Sequence, residues 1–298
     1  MYSNQVNSFS LKSKMVLFSL VQKKTSIVVF SDLDATLLDH ASYSHEAARP
    51  ALRLLEREKI PIILCSSKTA AEIERLRDSL RLHHPFISEN GGAIFIPRGY
   101  FPFSFMPHRE TPRYLVIELG TSYSKLREVL GCLQHSYPGA IQGFGDMAVE
   151  EVARLTNLSL EDACLAKQRE YDEPFLLGNE ELASEIAKRV NALGLQVTKG
   201  GRFHHLMGGN DKGRAVSILT SLFRRQQPDL VTIGIGDSLN DLAMLMAVDY
   251  PVLVQKPDGS YDPAVRLPNL ILAPFPGPDG FRASLVELVP LLIRQEFS

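Results

Sequence analysis

Residues 27–30 (IVVF) form an unbroken apolar run, and Ser31-Asp32-Leu33-Asp34-Ala35-Thr36 follows at once. This junction constrains the fold more than any other feature. A short apolar run without alternation suits a strand buried on both faces, the situation in a parallel sheet covered by helices on both sides. The texture recurs: residues 60–65 (IPIILC) and 230–235 read as strands, with helical patterns over 47–59, 69–80 and 211–225. Short β-branched runs alternating with longer helices predict an α/β fold built on a doubly wound parallel sheet. Glu89-Asn90-Gly91-Gly92 is a turn signal between strands at 86–87 and 93–96. Strands at 252–254 and 270–272 and an amphipathic helix over 281–293 close the chain.

Composition narrows the class. With 298 residues, 45% hydrophobic and 22% charged, the chain holds enough apolar matter for a sizeable core, which excludes a wholly disordered protein. Lys and Arg number 32 against 34 Asp and Glu, a balance that argues against a nucleic-acid partner. Cys65, Cys132 and Cys164 are odd in number and far apart. They exclude a disulfide framework and a cysteine-built zinc site, and suit a reducing compartment. Residues 15–21 (MVLFSLV) are too short to span a membrane, and no A-x-A-like cleavage site follows. Residues 1–26 are therefore expected to be a leader or an extra edge element of a cytoplasmic protein without a membrane partner.

A segment of different texture separates the two βα-rich blocks. Strands are expected at 114–119 and 170–177, helices at 122–137, 148–156, 160–168 and 180–193, and a hairpin joining 196–198 to 202–207 through Lys199-Gly200-Gly201. This predicts an α+β insert over 98–204, between core halves 27–97 and 205–298.

Chemistry concentrates where strands end and helices begin. Asp32 and Asp34 are two apart in extended chain, so both side chains can converge beyond the strand's carboxyl end, where open α/β sheets bind ligands. Two such carboxylates repel, and a divalent oxygen-seeking cation would relieve them; a pair of solvated turn acids is the plainer alternative. Ser66-Ser67-Lys68-Thr69 enters a helix, offering hydroxyls and free N–H groups to a phosphate or simply a helix cap. Lys212 sits in a first helical turn, where it opposes the macrodipole and calls for an anion. Gly236-Asp237-Ser238-Leu239-Asn240-Asp241 follows another apolar strand and suggests a metal site or a solvated loop.

In this order, the four segments resemble the motifs of the haloacid dehalogenase-like (HAD) phosphohydrolases: Asp32, Asp34 and Thr36, then Ser66, then Lys212, then Asp237 and Asp241. Ala35 departs from that pattern, which has glycine there; a positive φ would strain the alanine. Only 29 residues separate Thr36 from Ser66, whereas 145 separate Ser66 from Lys212. In this superfamily an insert in the second gap marks a C2-type cap. The segments 64–69 (LCSSKT), 89–94 (ENGGAI), 168–175 (QREYDEPF) and 200–213 (GGRFHHLMGGNDKG) are further similar to the mannosyl-3-phosphoglycerate phosphatase family.

The resemblance implies a set of roles. Asp32 would be the nucleophile, Asp34 the acid and base, and Thr36, Ser66 and Lys212 the remaining catalytic groups. Mg²⁺ would be held by Asp32, by Asp34 through its main-chain oxygen, and by Asp237. Asp241 joins this metal set, more as an orienting group for Lys212 or the metal's waters. The partner would be a small phosphorylated sugar or glycerate, bound by a monomer or homodimer. Ser67, Lys68, Arg169, Glu173 and Arg202 are candidate substrate-binding residues, with Asp172 as an alternative to Glu173. His204 and His205 are adjacent on an expected strand and must face opposite ways, which excludes a paired metal site. A P-loop kinase fails because residues 208–213 (GGNDKG) lack the G-x-x-x-x-G-K-[ST] spacing, and a dinucleotide dehydrogenase fails because position 239, where the third glycine would follow Gly234 and Gly236, is Leu. A non-catalytic receiver-like module would gather acids in the same way but has no use for Asp34.

Overall fold

The computed structural model describes residues 25–200 and 202–294; the expected leader lies outside them up to residue 24. In the first block, β1 (Ile27–Ser31), α1 (Arg49–Glu58), β2 (Ile62–Cys65), α2 (Ala70–Leu80) and β3 (Phe86–Ser88) follow the predicted alternation. β4 (Ala93–Pro97), β5 (Arg109–Glu110) and β6 (Tyr114–Glu118) come next. The insert then contributes α3 (Tyr123–Ser136), β7 (Ile141–Gly143), α4 (Val149–Thr156), α5 (Leu160–Ala166), β8 (Asp172–Leu177), α6 (Ala183–Asn191), β9 (Gln196–Gly200) and β10 (Phe203–Met207). The chain returns through α7 (Lys212–Gln226), β11 (Val231–Gly236), α8 (Leu242–Met246), β12 (Tyr250–Gln255), β13 (Ile271–Pro276) and α9 (Gly277–Arg294).

The large sheet runs β13-β12-β11-β1-β2-β3-β4-β6-β5. From β13 to β3 every pairing is parallel. Strict side-to-side alternation on β1 explains its unbroken apolar run. Ile27 and Val29 pack with α1, α2 and α9, while Val28 and Phe30 pack with α7 and α8. Because β11 and β2 flank β1 on opposite sides, the chain changes direction across the sheet at β1, and three carboxyl ends meet there. That is the crevice in which open α/β sheets bind ligands.

The expected parallel sheet forms the core, and an antiparallel extension lengthens it: β3, β4, β6 and β5 pair antiparallel, because the tight turn at 89–92 sends the chain straight back along β3. The expected domain bounds need correction. The segment 98–118, assigned from sequence to the insert, also supplies β5 and β6 to this large sheet. Alternation identifies a half-buried strand but not its neighbour, so the boundary at 98 was drawn too early. The boundary at 204 likewise falls inside β10, which belongs to the small sheet.

That small sheet is antiparallel, in the order β7-β8-β10-β9. One face is sealed by α3 and α6 through Leu126, Leu130, Ile186 and Val190, which pack on Phe175 and Leu206. On the other, α4 and α5 cover the end near Leu176 and Phe203. The end near Asp172 and Met207 turns toward the core. No helix among the described residues is long and apolar enough to cross a membrane.

Candidate active site

Asp32 leaves β1 level with the ends of β11 and β2, since Ser31 is in register with Ile235 and Leu64. Its carboxylate is buried, 2.7 Å from Lys212 Nζ, and the same ammonium lies 2.7 Å from Asp241 Oδ1. Lys212 begins α7, whose N-cap Asp211 accepts from the N–H groups of Gly213 and Arg214. The anions that a lysine in that position calls for are therefore Asp32 and Asp241. Asp241 Oδ2 accepts from the backbone N–H groups of Asp237 and Ser238. Gly236 makes room for it, because a Cβ there would collide with the Asp241 side chain.

Ligand oxygens of Asp32, Asp237 and Asp241 lie within 4.8 Å of one another. Burial and the Asp241 carboxylate push Asp32 well up, while Lys212 pulls the other way. Burial and Asp241 also raise Asp237, to about 6. Burial would lower Lys212, yet Asp241 and Asp32 outweigh it and keep the ammonium charged. Three carboxylates with one ammonium form an oxygen-rich site short of positive charge, which fits a hard divalent cation. The Asp34 carboxylate is not part of this group. It pairs with Lys68 Nζ at 3.1 Å, and Lys68 also lies 3.8 Å from Glu72 and 5.3 Å from the Tyr43 ring centroid.

The loop between carries the anticipated strain: Ala35 has φ of 56°. The Thr36 hydroxyl is buried with no hydrogen-bond partner, a donor available to a ligand. Ser66 is fully buried at the end of β2, where its Oγ accepts from the Lys68 N–H at 3.2 Å. Thr69 takes the capping role, in a capping box with Glu72.

The cap candidates divide. Arg169 spans the seam between cap and core: Nη1 donates to the Ser67 carbonyl at 2.9 Å, Nε donates to Ala166, and Asp172 lies 3.6 Å away. Glu173 sits on the helix-sealed face, opposite Leu206. Its fully buried carboxylate accepts from Arg127 at 2.7 Å and from the Gly145 N–H at 3.0 Å. These contacts make it a support within the cap, correcting its placement as a sugar ligand. Arg202 is exposed and donates to the Leu155 carbonyl. It stands five residues before Met207, roughly 16 Å along an extended strand, so it is remote from the motif cluster and is corrected as well. The histidines face opposite ways as expected: His204 stacks on Phe175 and meets Glu180 at 3.2 Å, whereas His205 Nδ1 lies 2.8 Å from Asp172.

Sequence reasoning took 89–92 for a turn and missed its other work. Glu89, Asn90 and Gly91 have φ of 48°, 58° and 91°, and a Cβ on Gly91 would strike the Asp211 carbonyl. The buried Glu89 carboxylate accepts the N–H groups of Glu170 and Tyr171 at the entry to β8. Asn210 donates to the carbonyls of Glu89 and Tyr171, and Asn240 donates to Asn90. One turn thus binds the cap strand to the segments bearing Lys212 and Asp237. Burial raises Glu89 to about 8 although Arg169 opposes it.

The sequence profile of the haloacid dehalogenase-like hydrolases matches residues 29–101. A glucosyl-3-phosphoglycerate/mannosyl-3-phosphoglycerate phosphatase of Methanococcoides burtonii is 51% identical over 263 residues, 88% of this chain and 97% of its own. The chain belongs to the mannosyl-3-phosphoglycerate phosphatase family of HAD-like hydrolases. A mannosyl-3-phosphoglycerate phosphatase of Pyrococcus horikoshii is 37% identical over 227 residues, 76% of this chain and 90% of its own. The HAD phosphatase BT1666 of Bacteroides thetaiotaomicron shares the fold, with a TM-score of 0.61 over 92% of this chain and 97% of its own at 15% identity. Membership of this family of phosphoric monoester hydrolases agrees with Asp32, Lys212 and the acidic cluster meeting at the β11-β1-β2 ends.

Proposed function

We propose that the protein hydrolyses the phosphate monoester of mannosyl-3-phosphoglycerate to mannosylglycerate and inorganic phosphate. The observation that carries the reaction is the Lys212 ammonium, 2.7 Å from both Asp32 and Asp241 at the crevice of the sheet. The relative that is 51% identical supports the substrate. Asp32 attacks phosphorus in line; the bond from phosphorus to the glycerate oxygen breaks and an aspartyl-phosphate forms. Asp34, held by Lys68, protonates the leaving oxygen, which would otherwise depart as a poor alkoxide. It then takes a proton from the water that attacks phosphorus, releasing phosphate and regenerating Asp32. Lys212, Ser66 and the unpartnered Thr36 hydroxyl offer charge and hydrogen bonds to the phosphoryl oxygens as negative charge gathers on them. Asp32, Asp237 and the main-chain oxygen of Asp34 would hold Mg²⁺, which supplies further positive charge there. Asp241 fixes Lys212. Ser67 and Lys68 line the entry to the site, with Arg169 beside them.

A second reading widens the substrate. The Methanococcoides relative is named for both the glucosyl and the mannosyl ester, which differ in the orientation of one hydroxyl. The test is phosphate release, with Mg²⁺ and with chelator, from mannosyl-3-phosphoglycerate, glucosyl-3-phosphoglycerate, 3-phosphoglycerate, mannose 6-phosphate and sucrose 6-phosphate. Mg²⁺-dependent release from the glycosyl-phosphoglycerates above the others is the expected result. Release from a hexose phosphate alone would keep the reaction and discard the substrate.

A further inference from the structure

A cleft between α1 and α2 lies apart from the site described above, and none of the residues named there lines it. α1 packs chiefly on α9, and α2 on α5 of the cap. The two helices therefore stand apart over the start of β2, with a cavity of about 520 Å³ between them. That is the scale of a small-ligand site. Its floor is apolar. Leu55, Ile60 and Ile62 are buried beneath it, while Leu52, Leu80 and Leu82 are only half-buried. Close-packed interiors leave few such voids, and the half-buried leucines would be covered by an apolar body set into the cleft.

The walls have the opposite character. Arg49, Arg53, Lys59 and Arg81 line the cavity, against Glu56 as the one lining acid. Arg49 pairs with Glu46 at 3.1 Å on exposed surface. Arg53, Lys59 and Arg81 have no ion pair or side-chain hydrogen bond among the described residues. Lys59 and Arg81 close their helices in the left-handed conformation, at φ of 57° and 54°, where a cation also offsets the macrodipole. That role does not extend to the two arginines of α1. Arg49 is the first residue of the helix, the end at which the dipole disfavours positive charge, and Arg53 stands in its middle. With Leu52 and Glu56 they fall at i, i+3, i+4 and i+7, so α1 turns a single face to the cleft. His84 adds no charge there. Burial and Arg77 push it down to about 4, and its Nδ1 lies 2.9 Å from the Tyr100 hydroxyl.

An apolar floor under unpaired cations is complementary to one kind of ligand. A bare anion would leave the leucines uncovered, a neutral hydrocarbon would leave the cations unanswered, and a metal ion would be repelled. We propose that the cleft between α1 and α2 is a second binding site, for an organic anion whose acidic head meets Arg53 and its neighbours and whose apolar body lies on the leucine floor. Arginine suits such a head because its planar fork takes two acid oxygens at once. The site stands independently of the phosphatase reading. The experiment is isothermal titration of the full chain with octanoate and naphthalene-2-sulfonate, which carry an alkyl and an aromatic body. Octanol keeps the body without the charge, and acetate keeps the charge without the body. Wild type, Arg53→Glu and Arg53→Gln are compared, with thermal unfolding and aryl phosphate turnover as checks of folding. The expected result is one site per chain for at least one organic anion, with a Kd below about 1 mM. The tighter of the two identifies the body. Octanol and acetate should bind at least about tenfold more weakly, Arg53→Glu should weaken the anion about tenfold or more, and Arg53→Gln should weaken it less. Turnover should be unchanged in both variants. Equal binding of octanol or acetate, or no binding of either organic anion by wild type, would overturn the site. Binding unaltered in both variants would overturn it too, placing the anion elsewhere, the active centre included. Should Arg53→Glu not fold, Arg53→Gln decides it alone.

Discussion

At the scale of single residues, the centre is a balance of buried charges. Lys212 offsets the carboxylates of Asp32 and Asp241, and burial drives Asp32 toward its neutral form. Taking one partner from a buried ion pair leaves an uncompensated charge, which costs about 3–5 kcal/mol. Lys212→Met should therefore lower the unfolding free energy by about that amount in chelator, measured by urea denaturation, besides losing turnover. A loss under about 1 kcal/mol would show that Asp241's backbone donors suffice. Ala35 is a second local conflict, an alanine at φ of 56°. Glycine removes about 1 kcal/mol of strain there but adds freedom to the unfolded chain. Ala35→Gly should thus raise the thermal midpoint slightly or leave it in place, and a clear fall would mean that the strain is not felt. The sequence announced this residue only through its departure from the family pattern.

At the scale of elements, the turn joining β3 to β4 matters more than its length suggests. Glu89 is a buried carboxyl whose folded value, about 8, stands above its ordinary 4.5. The folded protein therefore holds a proton that the unfolded chain has released, and its stability falls as pH rises through that window. Glu89→Gln cannot titrate, so between pH 5.5 and 8 its unfolding free energy should fall less steeply than that of wild type. Parallel slopes in denaturant titrations would show that Glu89 ionises normally. Turn chemistry was legible at Asn90-Gly91-Gly92, but its docking against Asp211 and Tyr171 was not, because those contacts join segments some 80 to 120 residues apart. Glu173 and Arg202 failed as ligands for a related reason. Residue type suggested carboxylate and sugar chemistry, while β8 register and hairpin reach decided where those side chains went.

For the whole molecule, the cation proposed for the acidic cluster would couple its binding to pH. As a ligand, Asp237 would have to lose its proton, and burial and Asp241 raise its folded value to about 6. Mg²⁺ should raise the thermal midpoint at pH 8, since a ligand at 100 times its Kd adds about 2.7 kcal/mol. The gain should shrink as pH falls below about 6, where the ion must displace a proton. Equal gains at pH 5 and pH 8 would place the cation elsewhere. The cap belongs to this scale too. Arg169 to Ser67, Thr69 to Leu165 and Glu170 to Glu89 are hydrogen bonds that cross the seam between cap and core, so the cavity lined by Gln196 and Met207 of the cap and by Asn90 and Asn240 of the core is a product of the two sheets together.

The local grammar of the chain determined the α/β class, the order of the elements, the N-caps, and the strand-end placement of Asp32, Ser66 and Asp237. Those features depend on side-chain period and on residues a few positions apart. Only the tertiary structure decided that β5 and β6 extend the large sheet, that Asp34 pairs with Lys68 outside the carboxylate cluster, and that Glu173 lies on the helix-sealed face of the cap sheet. Each of these depends on which strand lies beside which and in what register. A backbone hydrogen bond carries no sequence label, so partner and register are selected by the packing of the whole chain.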